Sequence, residues 1–399
     1  MRGSMTETNI HHALGLHMHQ PPGNLRLLIE ANPREAEEIM RCYERAIRYA
    51  ERYRDVARLH VGFSGVLLEQ LLDPEVIDRY RHLVDIPAML QRYRDAENIE
   101  LIGMGYYHPI FPLISRADWS EQLERGRAIM ERVFGRTPQG FWPPELAFTV
   151  EMIPDLVAAG YEYVVVDGVR VRPEDGINDG FRPYVACYEG VCIGIVPRDR
   201  DLSNAQAGGL DLPWFQDEVC WRASGSPRPE ARRLVTSWSD GENGTWFRQM
   251  HEPSGFFGRF FEPYMEAIRA GTCPITPVCL TPYVSALRPL PHARFQATTW
   301  SAGSDCSDDL SRWAGNARQC EAVAKVRHLS DRYWDLCRAK PTGGYEVAAD
   351  AMVRARRLIL EAETSCFLFW GEAWLPHLYA RTQPAELALD EAEHAVSPV

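Results

Sequence analysis

Carboxylates set beside aromatic rings are the residues of this chain best suited to chemistry. GFWPPELAF, at 140–148, holds Glu145 behind Pro143 and Pro144, with Phe141 and Trp142 just upstream. SWSDGENGTW, at 237–246, puts Asp240 and Glu242 beside two glycines and between Trp238 and Trp246. HMHQPP, at 17–22, carries His17 and His19, and in a strand that spacing turns both rings to the same side. Glu100 and His108 bracket ELIGMGYYH, and Asp167 ends YVVVD. Such a set suits acid–base and nucleophilic chemistry on a neutral polar substrate such as a sugar, whose C–H faces stack on aromatic rings. It lacks the serine or cysteine nucleophile with a base that acyl transfer needs. His17 and His19 could form half of a metal site, but no H-x-x-x-H and no clustered cysteines supply the remaining ligands. They read as hydrogen-bonding groups in a cleft, and neither a metal nor another cofactor is expected.

These residues fall at the ends of apolar segments that alternate with amphipathic ones, which predicts an α/β fold with parallel strands. Strands are expected at 11–19, 57–65, 99–108, 140–142, 161–168, 190–197 and 232–240. Helices are expected at 32–55, capped by Asn32 with Pro33 in its first turn, at 118–135 and at 150–160, the last two closed by glycine. This many strands fit a distorted barrel better than an open sheet, and in such barrels active groups gather at the carboxyl ends of the strands. The domain reading is a tag remnant and disordered start at 1–9, then a catalytic barrel at 10–315 with a long proline-rich loop at 273–310. A helical domain at 316–390 (helices 316–339, 345–369 and 374–390) and a frayed tail at 391–399 follow.

The chain has 399 residues and a net charge of −12 without any basic tract, so nucleic acid and anionic membrane are not expected partners. No apolar run approaches the ~18 residues of a membrane span, and the start lacks a signal-peptide pattern; a cytoplasmic protein is expected. Ten cysteines without a C-x-x-C pair are expected to be reduced and mostly buried.

Five segments then point in one direction. HMHQPP resembles the first motif of glycoside hydrolase family 57, an α-glucan-active family, and ENIELIGMGYYHPI (97–110) resembles the second. FWPPE resembles the third, SDGENGTW the fourth, and AETSCFLFWG (362–371) the fifth. They occur in family order across nearly the whole chain. The resemblance implies an incomplete seven-stranded (β/α) barrel followed by a C-terminal helical bundle. It implies Glu145 as nucleophile and Asp240 as general acid/base. His17, His19, Glu100, His108 and Glu242 are implied as substrate-binding groups, with Trp142 and Trp246 as aromatic walls and Trp370 as a further sugar contact. Cys366 stands where several members carry a sugar-contacting Asp. Asp240 is expected to titrate high under the influence of Glu242 and of burial by Trp238 or Trp246. The loop at 273–310, with Trp300 and Trp313, is expected on the acceptor side. The function implied is retaining hydrolysis of α-1,4-glucans or maltooligosaccharides, with no oligomeric state specified. Alternatives are a 4-α-glucanotransferase or branching enzyme, an α-galactosidase, a non-catalytic α-glucan-binding protein and a zinc-dependent carbohydrate hydrolase.

Overall fold

The computed structural model describes residues 10–178, 180–226, 231–301, 310–338 and 345–396. The segment 1–9 read as a tag remnant, residues 302–309 of the proline-rich loop, and 397–399 of the tail lie outside the described residues. Among the described residues, eleven strands occur in the order β1 Ile10–Met18, β2 Leu59–Phe63, β3 Ile99–Ile102, β4 Gly140–Phe141, β5 Tyr163–Asp167, β6 Val171–Pro173, β7 Tyr184–Tyr188, β8 Val191–Arg198, β9 Arg233–Asp240, β10 Ile275–Pro277 and β11 Ala293–Phe295.

β1 is buried from His12 to Met18, the pattern of a central parallel strand covered on both faces. It pairs in parallel with β9 along Ile10–His17, with β2 along Leu14–Met18, and with β10 at its first three residues; β3 continues the sheet beyond β2. A second sheet runs β4-β5-β8 in parallel, with β7 antiparallel on β8. The two sheets meet at both edges. Gly103 bridges to Phe141, where Trp142 N donates to Gly103 O at 2.8 Å, and Asp199 N after β8 donates to Thr236 O of β9 at 2.8 Å. The expected α/β class with parallel strands is therefore present.

Between the sheets lie Trp142 and Trp238, both fully buried and stacked with centroids 5.1 Å apart. Trp238 occupies the space in front of Gly15, where a β-carbon would fall 2.0 Å from the indole. A glycine in β1 is thus the steric condition for a tryptophan in the core.

The helix expected from residue 32 is Pro33–Arg52, with the Asn32 side chain accepting from Glu35 N. The next two are Trp119–Phe134, closed by left-handed Gly135, and Ile153–Ala158 after a short 3₁₀ turn. Other expectations need correction. The strand expected at 99–108 ends at Ile102, with a single bridge at Gly103 before the chain becomes a loop. The proline-rich segment is not structureless: it carries β10, the helix Leu280–Ala286, and β11, which pairs with β6. Strands of three residues are too short to leave a period in the sequence. The helix expected at 345–369 ends at Ala362, and Leu375–Val396 carries the supposed frayed tail onward as helix to residue 396. Cys187 and Cys192 form a disulfide across the β7–β8 hairpin, and among the free cysteines described only Cys42 is buried, so the cysteine expectation fails in both parts. No helix among the described residues is long and apolar enough to cross a membrane.

Gly15→Ala is expected to lower stability by at least about 1–3 kcal/mol, the usual cost of overpacking a filled core. A urea midpoint equal to that of the wild type at unchanged slope would contradict this packing.

Candidate active site

The register of two strands creates the first pair. His17 and Asp240 are direct neighbours on β1 and β9, so their side chains leave the sheet together, and His17 Nε2 sits 2.8 Å from Asp240 Oδ1. The Asp240 side chain stays 32% exposed towards a cavity of about 520 Å³ at the carboxyl ends of the strands.

Glu145 reaches the same cavity by a backbone reversal. Pro143 is extended, as its ring favours, but Glu145 itself has φ 58° and Leu146 φ 52°. The prolines fix the approach, and two left-handed residues aim the side chain. Each such residue without glycine's freedom costs roughly 1–2 kcal/mol and persists where surrounding contacts hold it. Here Leu146 N donates to Pro143 O at 2.8 Å, and Trp300 N donates to Glu145 O at 3.0 Å. His108 is left-handed too, at φ 59°, and its carbonyl accepts from Ser365 N at 3.0 Å.

Ser365 joins these two residues. Its hydroxyl lies 2.8 Å from Glu145 Oε1 and 2.8 Å from His108 Nδ1. One hydroxyl proton serves one acceptor, so donation to the carboxylate requires His108 to carry its proton on Nδ1 and donate it to Ser365 Oγ. The His108 ring stacks on His19 with centroids 4.0 Å apart, and His17 stacks on Trp142 at 5.2 Å. His19 Nδ1 is 2.8 Å from Ser64 Oγ. Burial, with the nearby histidines adding, pulls the His19 pKa down to about 3 and His108 well below the usual imidazole range. Both rings are neutral.

The carboxyls differ in character. Burial raises the Glu145 pKa to about 7; the Ser365 hydrogen bond opposes this, and the charge of Asp240 adds to it. Burial also pushes Asp240 upward, but the charge and hydrogen bond of His17 outweigh it and hold Asp240 below its ordinary value. The expectation of a high-titrating Asp240 is therefore wrong. Its effective neighbour is His17 across the strand pair. Glu242 points elsewhere, with Oε1 accepting from His19 N at 2.6 Å and from Gln20 Nε2 at 3.4 Å, and burial raises its pKa well above the usual carboxyl range.

Of the residues expected in the site, Glu145, Asp240, His17, His19, His108 and Trp370 line one cavity, joined by Trp300. Others do not. Glu100 is the second residue of β3 and so lies near that strand's amino end, in a separate cavity of about 730 Å³. There it accepts from Thr281 N and Oγ1 and from the Tyr163 hydroxyl. Trp142 lies fully buried beneath His17 rather than on a wall, and Trp246 packs against Phe256. Glu242 supports the His19 backbone from behind. Trp313 is fully buried beside Phe369. Asp167 is held by Arg200 at 2.9 Å and does not line the cavity. Cys366 does line it; burial pushes its thiol far above the usual range, so it is neutral. Sequence reasoning missed Ser365, Phe369, Trp374, Asn243 and Arg248. Ser365 and Phe369 lie within the fifth motif, where Cys366 drew the attention; Asn243 and Arg248 follow the Asp-Gly-Glu turn. Among the described residues, no group of three His, Cys, Asp or Glu is placed to hold a metal ion.

Ser365→Ala removes the hydroxyl that opposes the raised Glu145 pKa, so that pKa should climb further. If turnover needs one proton on the Glu145–Asp240 pair, that proton is lost from Glu145 as pH rises, so the alkaline limb of the kcat/KM profile, expected near 7, moves to higher pH. An unmoved limb in a folded variant would remove Ser365 from the carboxyl's environment.

The family model for glycosyl hydrolase family 57 matches residues 13–265. Alpha-amylase 1 of Dictyoglomus thermophilum is 25% identical over 355 residues, covering 84% of this chain and 46% of that enzyme. The 4-alpha-glucanotransferase of Thermococcus kodakarensis is 30% identical over 194 residues, covering 47% of this chain and 26% of that enzyme. The chain thus spans less than half the length of either relative. Among solved structures, the GH57-type branching enzyme of Pyrococcus horikoshii superposes with a TM-score of 0.69 at 17% identity, over 97% of this chain and 89% of that one.

Proposed function

The chain belongs to glycosyl hydrolase family 57, and on that footing we propose that it is a retaining α-glycosidase hydrolysing α-1,4-glucans by double displacement. The observation that carries this reading is a pair of carboxyls of unlike character, Glu145 and Asp240, facing one cavity walled by Trp300, Trp370 and Trp374. Glu145 attacks the anomeric carbon while Asp240 protonates the leaving oxygen; Asp240 then takes a proton from the water that resolves the glycosyl-enzyme. His17 Nδ1, His19 Nε2 and His108 Nε2 are buried without a protein partner and are assigned to sugar hydroxyls. In the same reading the two sheets act as one barrel built on β1–β5, β8 and β9, with the helices after residue 316 as its bundle.

Double displacement needs one proton on the carboxyl pair, and it must sit on Asp240. Near neutrality the empty site favours Glu145 instead. The proton count is right and the location must change on binding. Positive charge developing at the anomeric carbon favours ionised Glu145, and the arriving leaving oxygen gives Asp240 an acceptor for its proton. The empty-site order supports a second reading with the roles exchanged, Glu145 as acid and Asp240 as nucleophile. On the acceptor side, the neutral Cys366 thiol grips a sugar hydroxyl less well than a carboxylate would, which favours water over transfer.

Glu145→Gln is expected to lose at least ~10³-fold in kcat on every substrate, whereas Asp240→Asn should spare aryl α-glucosides whose leaving groups need no proton. The reverse pattern would establish the exchanged roles. First products should have the α configuration by NMR, and β products would refute the mechanism. Maltoheptaose digests dominated by longer oligosaccharides would move the protein to the transferase reading, and preferential turnover of an aryl α-galactoside to the galactosidase one.

Chelators are expected to leave turnover of maltoheptaose unchanged. Activity lost on chelation and restored by zinc would instead support the metal-dependent alternative.

A further inference from the structure

Three tryptophans stand well out in solvent among the described residues: Trp370 at 58%, Trp214 at 43% and Trp221 at 71% exposure. Trp370 belongs to the catalytic cavity. Trp214 and Trp221 do not; both sit on the helix Leu212–Ser224. That helix is seated by Phe215, Val219 and Ala223, its buried stripe, with Phe215 packed on Tyr264 and His12. The tryptophans take no part in this seating.

Their spacing is regular. Seven residues make two helical turns, so the two indoles lie on one face about 10.5 Å apart along the axis. Positions three and four beyond Trp214 on that face are Asp217 and Glu218, giving a stripe of aromatic, carboxylate, carboxylate, aromatic. An apolar protein surface docking here would have to bury two carboxylates, which is costly. A carbohydrate would not, since its hydroxyls donate to carboxylates while its C–H faces lie on indole. Beside Trp221 opens a cavity of about 380 Å³ with Asp199, Arg222 and Ser224 on its wall. Arg222 bonds Asp199 at 2.8 Å and Glu218 at 2.7 Å, so the charged groups around the exposed ring are held in place.

The stripe also begins near the catalytic cavity. The preceding helix, Arg200–Gly208, brings Ala207 O within 3.9 Å of the β-carbon position of Gly244, a residue of the catalytic cavity wall. Trp214 follows seven residues later, no more than about 25 Å of chain away.

We propose that Trp214 and Trp221 form a second carbohydrate-binding surface that holds one stretch of an α-glucan while another stretch occupies the catalytic cavity. This rests on the reading of the chain as an α-glucan enzyme. The surface adds affinity for long chains by tethering and adds nothing for chains too short to reach it.

The test compares wild type with Trp214→Ala/Trp221→Ala, after thermal melting establishes that the variant is folded. Retention in glycogen-containing native gels and kcat/KM on amylose and maltoheptaose are measured for both. The expected result is about tenfold weaker glycogen retention and a raised KM for amylose, with maltoheptaose kinetics unchanged. Unchanged retention would overturn the proposal, as would an equal loss on maltoheptaose, which would assign the rings to the catalytic cleft. A wild type that turns over maltoheptaose but is not retained by glycogen overturns this surface and leaves the enzymatic reading standing. A wild type that is retained through the two rings but turns over no α-glucan does the opposite.

Discussion

Burial of the Glu145 carboxyl is the constraint around which the rest of the site is arranged. A carboxylate taken out of water needs donors. One of them is the Ser365 hydroxyl, which reaches in from beyond the helix Tyr345–Ala362, and the Trp300 side chain adds to it. Two left-handed residues, Glu145 and His108, are tolerated because that serine, its backbone and Trp300 N fix both of them. The neutral imidazoles follow from the same dryness, since each added charge would have to be solvated by groups already engaged.

The C-terminal segment is thus part of the site and not an appendage to it. Its docking is polar as well as apolar. Arg356 pairs with Asp118 at 2.7 Å, and Glu363 accepts from Gln122 Nε2 at 2.6 Å. The other end of Gln122 accepts from Tyr107 N at 3.0 Å, next to His108. A chain of contacts therefore runs from the buried helical segment to the loop that presents a site histidine. Pro109 and Thr364 add a short β-bridge to the same junction.

Much of this was legible in the sequence. The parallel α/β class followed from alternating apolar and amphipathic segments, and the N-cap at Asn32 followed from side-chain chemistry. Carboxylates beside aromatics pointed to Glu145 and Asp240, which line one cavity. What failed did so for physical reasons. Glu100 is placed by motif, but a residue at the start of a parallel strand faces the opposite end of the sheet from one at its finish. Trp142 and Trp246 are aromatic and near the carboxylates in sequence, yet sequence proximity does not distinguish a wall from the layer beneath it. The pKa order was misjudged because Glu242, two residues away, matters less to Asp240 than His17, more than two hundred residues away and adjacent through strand register. Ser365 had no signal beyond its place in a motif, since a lone serine is chemically silent until its neighbours are known.

The 220 residues between Glu145 and Ser365 also have a temporal meaning. A ribosome adds roughly 5–20 residues per second, so the serine follows the glutamate by roughly ten to forty seconds. Throughout that interval Glu145 and His108 lack the hydroxyl that ties the two of them together. The tie is therefore made late, by a segment synthesised after both of the residues that it joins. The order of synthesis thus sets the order in which this cluster can close.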